Sequence, residues 1–344
     1  VKGFSALWTK LILKSYGWRP TDKVTRYPHN PILSAKDIPY EATLIFNAGV
    51  VKHNGRYLMA FRDDYSCSKK IKTRFQTHIG LAESEDGIRW KAFPEPLINY
   101  NDIQDGEVKR LYDPRLQIID GELYMCFAQD TRHGLRGGIG KISPGLKSFE
   151  IISLSVPDNR NMVLFPEKIN GMYCRLERPM PVYSRRGKEL FDMWMSFSPD
   201  LIHWGDSRLI LAQEDVPFAN CKVGPAAPPV RTEKGWLTLF HSVKKDPRLL
   251  KNGWEPKWKK VYCACFMLLD LEDPSKVLGV YKEPLLMPEA PYELYDGFRN
   301  NVIFPCGMIE ENGIAKIYYG AADTVTCLAT AKTEDLISLC LEGK

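Results

Sequence analysis

The chain has 344 residues, 44% of them hydrophobic and 11% aromatic, with 26% charged and a formal net charge of +5. The hydrophobic content is ordinary for a globular protein and excludes a disordered chain. The mild charge gives no basis for nucleic-acid binding, and blocks such as Lys257-Trp258-Lys259-Lys260 read as solvated surface. Nine cysteines without metal-ligand spacing, in a chain too long to need cross-links, read as buried thiols, so the expectation is a cytoplasmic protein with no metal site.

At the start of the chain, Phe4, Leu7, Trp8, Leu11, Ile12 and Tyr16 recur at i, i+3, i+4 spacing, which predicts an amphipathic helix. Lys10 and Lys14 interrupt the pattern, so these residues predict neither a signal peptide nor a membrane span. Residues 1–27 are therefore expected to form an extension. It would pack on the outside of the main domain or on a second copy of the chain, making a homo-oligomer.

From residue 28 to 344 one phrase returns five times: a glycine, an aromatic or aliphatic residue within two positions, then a short alternating run. The copies begin at Gly55, Gly121, Gly171, Gly235 and Gly313, and they lie 50 to 78 residues apart. A strand-built repeat of about 65 residues is the mark of a propeller, so the fold class is all-β, a five-bladed β-propeller. A second phrase runs in phase with the first. It reads Ser84-Glu85-Asp86-Gly87-Ile88-Arg89-Trp90, Ser143-Pro144-Gly145-Leu146-Lys147-Ser148-Phe149 and Ser198-Pro199-Asp200-Leu201-Ile202-His203-Trp204, with Thr333-Glu334-Asp335-Leu336 as a shorter fifth copy. Its Ser and Asp side chains suit a tight turn whose backbone N–H groups they accept from.

The strand before each repeated glycine should be the innermost of its blade, its start on the binding face of the central channel. These strands carry few polar residues, notably Asn47 and Asp113. The second strand returns to the same face, bringing Arg62-Asp63-Asp64, Gln129-Asp130, Glu177-Arg178, His241 and Asp323. Charges in phase in every blade predict a polar pocket on the axis. Asp63, Asp113 and Asp323 suit sugar hydroxyls and could supply a general acid, whereas Arg160, Arg178, Lys222 and His241 form four potential cations that fit phosphate. Tyr112, Phe165 and Phe304 suit either sugar stacking or blade packing. The Lys- and Trp-rich insertion between Val243 and Val261 covers the site, meets another subunit, or is a solvated loop.

From about Asn30 onward the chain resembles the inverting mannoside phosphorylases of glycoside hydrolase family 130. The likeness rests on Asn30-Pro31-Ile32-Leu33, Ile45-Phe46-Asn47-Ala48-Gly49-Val50, Phe61-Arg62-Asp63, Asp113-Pro114-Arg115 and Asn159-Arg160-Asn161. It continues through Phe165-Pro166-Glu167-Lys168, Arg175-Leu176-Glu177-Arg178-Pro179, Lys222-Val223-Gly224, Gly235-Trp236-Leu237 with His241, and Tyr318-Tyr319-Gly320-Ala321-Ala322-Asp323-Thr324. The resemblance implies a five-bladed propeller in which Asp113 is the single catalytic acid. It implies that Asn47, Arg62, Asp63 and Asp323 hold the non-reducing mannosyl unit, that Tyr112 lies at the leaving sugar, and that Arg160, Arg178, Lys222 and His241 bind phosphate. It further implies that Asp113 delivers its proton through the sugar's own 3-hydroxyl.

The expected reaction is inverting phosphorolysis of β-1,4-linked mannooligosaccharides to α-mannose 1-phosphate and a shortened acceptor, with mannosylglucose as the next substrate type. Inorganic phosphate is a co-substrate and no cofactor is expected. Inverting hydrolysis would need a second carboxyl group to activate water, while phosphorolysis needs cations that seat the nucleophile. Retention of Arg178, Lys222 and His241 favours the latter. The alternatives are a β-mannoside hydrolase with Asp63 or Asp323 as base, and a propeller that binds carbohydrate without turnover.

Overall fold

The computed structural model describes residues 2–67, 76–103, 105–183, 190–250, 253–255, 257–295 and 297–342. The chain opens with helix α1 (Lys2–Ser15) and a short strand β1 (Val24–Arg26). Blade one is β2 (Leu44–His53), β3 (Arg56–Tyr65), β4 (Gln76–Ser84) and β5 (Lys91–Ala92). Blade two is β6 (Val108–Ile119), β7 (Glu122–Thr131), β8 (Gly134–Ile142) and β9 (Phe149–Leu154). Blade three is β10 (Asn159–Leu164), β11 (Tyr173–Pro179), β12 (Met193–Ser198) and β13 (Gly205–Leu211). Blade four is β14 (Lys222–Pro225), β15 (Val230–Thr232), β16 (Gly235–Lys245), β17 (Lys260–Leu269) and β18 (Val277–Val280). After the one-turn helix α2 (Pro291–Leu294), blade five runs β19 (Ile303–Glu311), β20 (Ile314–Ala321) and β21 (Val325–Lys332), followed by α3 (Thr333–Glu342).

Each sheet is antiparallel, and the outermost strand of blade five is β1, with Val24 opposite Ala331. The ring thus closes by pairing the two ends of the described chain. Residues 24–26 belong to the propeller although the sequence reading assigned them to the extension.

The repeated glycines sit in the hairpins between first and second strands. Four follow an Asn or Asp, and in each pair both φ angles are positive: Asn54-Gly55, Asp120-Gly121, Asn170-Gly171 and Asn312-Gly313. This is the type I′ turn whose twist matches the flanking strands. In the second phrase, Asp86 Oδ1 accepts from the backbone of Ile88 and Arg89, and Asp200 Oδ1 from Ile202 and His203. Blade four has its own version, unseen in the sequence, with Asp270 Oδ1 accepting from Glu272 and Asp273. The fifth copy differs, because Thr333 starts helix α3 there and β1 supplies the outer strand.

The core lies between blades. Trp236 is fully buried with its ring 5.2 Å from Phe165 in edge-on contact, and each such side chain contributes on the order of 2–3 kcal/mol. Helix α1 packs on the outside through Ile12 and Leu13, beside Leu249 and Val261 of blade four. The predicted stripe is split: Leu7 and Leu11 stay exposed, and the Phe4 side chain lies outside the described residues. All nine cysteines are free and seven are buried. Among the described residues no helix is long and apolar enough to cross a membrane.

Candidate active site

Three inner strands share one irregularity. The register shifts between Phe46 and Gly49 in β2, between Tyr112 and Arg115 in β6, and between Arg160 and Val163 in β10. At each shift stands a residue in the left-handed region: Asn47 (φ 52°), Asp113 (φ 57°) and Asn161 (φ 59°). A bulge re-aims a side chain, and Asn and Asp tolerate this conformation better than other residues with a Cβ. Asp323, in the turn after β20, has φ 49°. All four line one cavity of about 320 Å³, where the starts of the inner strands and the ends of the second strands meet.

Asp113 is the hub. Its Oδ1 accepts from Asn47 Nδ2 at 2.9 Å and from Arg62 Nη1 at 3.1 Å. Arg115 Nη1 donates to the Asp113 carbonyl at 2.7 Å, tying down the bulge itself. Burial pushes the Asp113 carboxyl up, but Arg62, Arg115, the Asn47 hydrogen bond and Arg160 outweigh it and hold the group at about 2. Arg62 is fixed in turn by Asp64, which accepts from its Nη2 at 2.6 Å and its Nε at 2.9 Å. Burial opposes the charge of Arg62, yet Asp64 and Asp113 keep the guanidinium protonated.

On the neighbouring wall lie Arg160, Arg178, Lys222 and His241. Among the described residues the three cations have no carboxylate partner; Arg160 donates to Tyr112 Oη at 3.4 Å, and Arg178 Nη1 donates to His241 Nε2 at 2.9 Å. Burial, then the nearby Arg160, push Arg178 down to about 9. Burial, then Arg178 and Arg160, push the Lys222 amine well below its ordinary range. Burial, Arg178 and Lys222 do the same to His241. With Arg178 donating to it, His241 is thus a neutral imidazole, so at most three of the four expected groups carry charge. Crowding like charges in a buried wall is costly unless an anion joins them. Gly224 on β14 makes the cluster possible, because a Cβ there would lie 2.8 Å from both Arg178 Cδ and His241 Cε1.

Nine of the ten sequence-predicted residues line this cavity: Asp113, Asn47, Arg62, Tyr112, Asp323, Arg160, Arg178, Lys222 and His241. The Tyr112 hydroxyl donates to Asp130 Oδ1 at 2.8 Å, and the Arg110 guanidinium stacks 4.2 Å from its ring centre. Asp63 is the exception. Strand alternation turns it away from the face of Arg62 and Asp64, and it is fully buried, with Oδ1 3.4 Å from the Thr43 amide. Burial, offset in part by that amide and reinforced by Asp64 and Glu41, raises its carboxyl to about 8.

The sequence reading missed Asn161, Arg110, Tyr262 and Arg299 as lining residues. Glu255, Trp258 and Lys260 belong to the insertion that was one candidate to cover the site. The reading of Lys257-Trp258-Lys259-Lys260 as solvated surface is corrected, because Trp258 and Lys260 line the cavity. Asn161 was legible as the counterpart of Asn47 and Asp113. Arg299 donates to Asp323 Oδ2 at 3.3 Å and to Glu255 Oε2 at 2.5 Å; both it and Glu255 stand outside the repeat phase. Burial raises the Asp323 carboxyl, although Arg299 and Arg62 oppose the shift.

Comparison with known proteins adds a consistent picture. The profile of glycoside hydrolase family 130, described as beta-1,4-mannooligosaccharide phosphorylase, matches residues 21–342. The 1,2-beta-oligomannan phosphorylase of Thermoanaerobacter sp. (strain X514) is 32% identical over 322 residues, covering 91% of this chain and 99% of its own. The beta-1,4-mannooligosaccharide phosphorylase of Ruminococcus albus is 32% identical over 328 residues, covering 92% and 90%. The solved beta-1,2-mannobiose phosphorylase of Listeria innocua, in complex with beta-1,2-mannobiose, superposes with a TM-score of 0.75 at 26% identity, covering 92% of this chain and 99% of that one.

Proposed function

The chain belongs to glycoside hydrolase family 130, and on that premise we propose that it cleaves β-mannosides by inverting phosphorolysis, releasing α-mannose 1-phosphate. The observation that carries this reading is the wall of buried Arg178 and Lys222 with half-buried Arg160, basic and without carboxylate partners among the described residues, beside one hydrogen-bonded carboxyl, Asp113. Phosphate is itself a competent nucleophile, so a site for it replaces the second carboxyl that activates water in an inverting hydrolase.

In this reading phosphate sits among Arg160, Arg178, Lys222 and His241. The terminal mannosyl unit lies against Asn47, Arg62 and Asp323, with the leaving sugar toward Tyr112. Asp63, being outside the cavity, supports the strand instead of touching sugar. As a phosphate oxygen bonds to C1, the C1–O bond to the leaving sugar breaks and that oxygen takes a proton that originates on Asp113, relayed by the mannosyl 3-hydroxyl. Of the groups that keep Asp113 ionised in the free protein, Arg62 and Arg115 act first and Arg160 last, and of these only Arg160 belongs to the phosphate wall. Phosphate, by neutralising Arg160 and adding its own negative charge nearby, moves Asp113 part of the way toward the protonated form that the reaction needs.

For the linkage we propose β-1,4 in mannooligosaccharides, supported by the description of the matching family profile. Relatives of equal identity divide between β-1,2 and β-1,4 names, so the test uses both. Assembly of copies through α1 is part of the same proposal, supported by the exposed Leu7 and Leu11, and light scattering checks it.

The deciding experiment incubates the protein with β-1,4- or β-1,2-mannobiose, with and without phosphate, and assays α-mannose 1-phosphate. Product from the β-1,4 disaccharide only with phosphate is the expected result. Free mannose at equal rates in both tubes would instead favour hydrolysis, with Asp323 as the second carboxyl group.

A further inference from the structure

The insertion that links β16 to β17 joins two places that the reaction itself does not connect. At its base, Asp246 is buried, and its Oδ2 accepts from the Tyr16 hydroxyl at 2.8 Å and from Arg248 Nη2 at 2.7 Å. The Trp8 indole donates to the Arg248 carbonyl at 3.2 Å, and Leu249 packs in one cluster with Ile12 and Leu13. Helix α1 and the residue that follows its last turn therefore hold this base by two hydrogen bonds and an apolar contact.

At its far end the same insertion enters the cavity. The amides of Trp254 and Glu255 donate to carbonyls of the 297–298 segment, at 3.1–3.2 Å. The Glu255 carboxylate grips Arg299, whose guanidinium lies 4.8 Å from the Trp258 ring centre and donates to Asp323. Asp323 is thus bonded to Arg299, and Arg299 to Glu255 and the Trp258 ring. The Asp246 amide donates to the carbonyl of Lys259 at 2.9 Å and the Trp258 amide to the carbonyl of Glu255 at 3.0 Å, which ties the braced base to this wall.

Resting on the functional reading above, we propose that Glu255 and Arg299 form the wall that orients Asp323 toward the mannosyl unit, and that Tyr16, through Asp246, is a positioning residue for this wall. The N-terminal helix would then set affinity for the sugar without touching it. The phosphate residues come from β10, β11, β14 and β16, and Glu255 bonds to none of them. The insertion reaches their side through ring stacking of Trp258 on Tyr262, beside His241 and Lys222, and not through the Arg299 ion pair. The two substrates should respond differently.

Tyr16→Phe removes the hydroxyl and keeps the ring beside Lys244 and Arg248; Glu255→Gln weakens the grip on Arg299. Steady-state kinetics would vary mannobiose at saturating phosphate, then phosphate at saturating mannobiose. One lost hydrogen bond predicts a rise in the sugar KM of about fivefold in either variant, with the phosphate KM within about twofold of wild type. An unchanged sugar KM in both variants, or equal rises for both substrates, would overturn the proposal. If the wild type shows no phosphorolysis, the functional reading fails. Mannose affinity by calorimetry then still decides: weaker binding in both variants supports the brace, and unchanged or absent binding overturns it.

Discussion

Arg178 Nη1 lies 2.9 Å from Nε2 of His241 in a fully enclosed pair. A guanidinium can only donate, so Nε2 is the acceptor and the imidazole carries its proton on Nδ1. The charge that would meet phosphate therefore comes from Arg160, Arg178 and Lys222, and His241 acts by holding Arg178 in place.

A cluster of unpaired buried cations costs stability until an anion arrives. Lys222→Met is expected to raise the melting temperature in phosphate-free buffer and to weaken phosphate binding at least tenfold. Wild type should gain about 2.7 kcal/mol at a hundredfold excess over Kd. Scanning calorimetry with and without phosphate reads both effects, and a lower melting temperature for the phosphate-free variant would refute the account.

Gly224 touches neither substrate in this scheme, yet a methyl group there would press on Arg178 and His241 at 2.8 Å. Gly224→Ala should raise the phosphate KM by about tenfold and leave the sugar KM within about twofold. Equal kinetics for the two proteins would show that the pair can shift at no cost.

Asp113→Asn keeps an oxygen for Asn47 Nδ2 and Arg62 Nη1 and loses the proton. Turnover should fall roughly 10²–10⁴-fold while mannose still binds in calorimetry. Retention of more than about a tenth of the rate would remove Asp113 from the role of acid.

Asp63 carries a pH signature. Its carboxyl sits at about 8 in the folded protein against an ordinary value of 3.8. Between those values the unfolded chain ionises and the folded one does not, so this group's contribution is full below pH 4 and is lost as pH rises toward 8. Asp63→Asn should therefore flatten the decline in melting temperature between pH 5 and pH 8. Parallel curves for variant and wild type would contradict this assignment.

The repeated glycines were legible because each occupies a turn that needs positive φ, and that phase alone located the inner strands. Asp113, Arg178 and His241 followed as residues at strand ends on one axis. Asp63 lies outside the cavity for a reason the sequence already contained: in a strand, neighbours of Arg62 point the other way. Arg299 was out of reach, since no periodicity relates a loop in blade four to the segment that leads into blade five, and Glu255 was legible only as part of an insertion with three open roles. The α1 stripe divides instead of acting as one face. Ile12 and Leu13 face the propeller while Leu7 and Leu11 stay exposed, and spacing alone does not separate an arc that packs inward from one that is left outside.

Val24 pairs with Ala331, and this latch has a temporal meaning. During synthesis the four middle blades can form as each hairpin emerges, but the ring stays open until β21 leaves the ribosome and finds β1. The entropic penalty of so long a closure grows only logarithmically with chain length; its kinetic burden is larger, because non-local pairings form late. The catalytic cavity, built where all five blades converge, is thus assembled last.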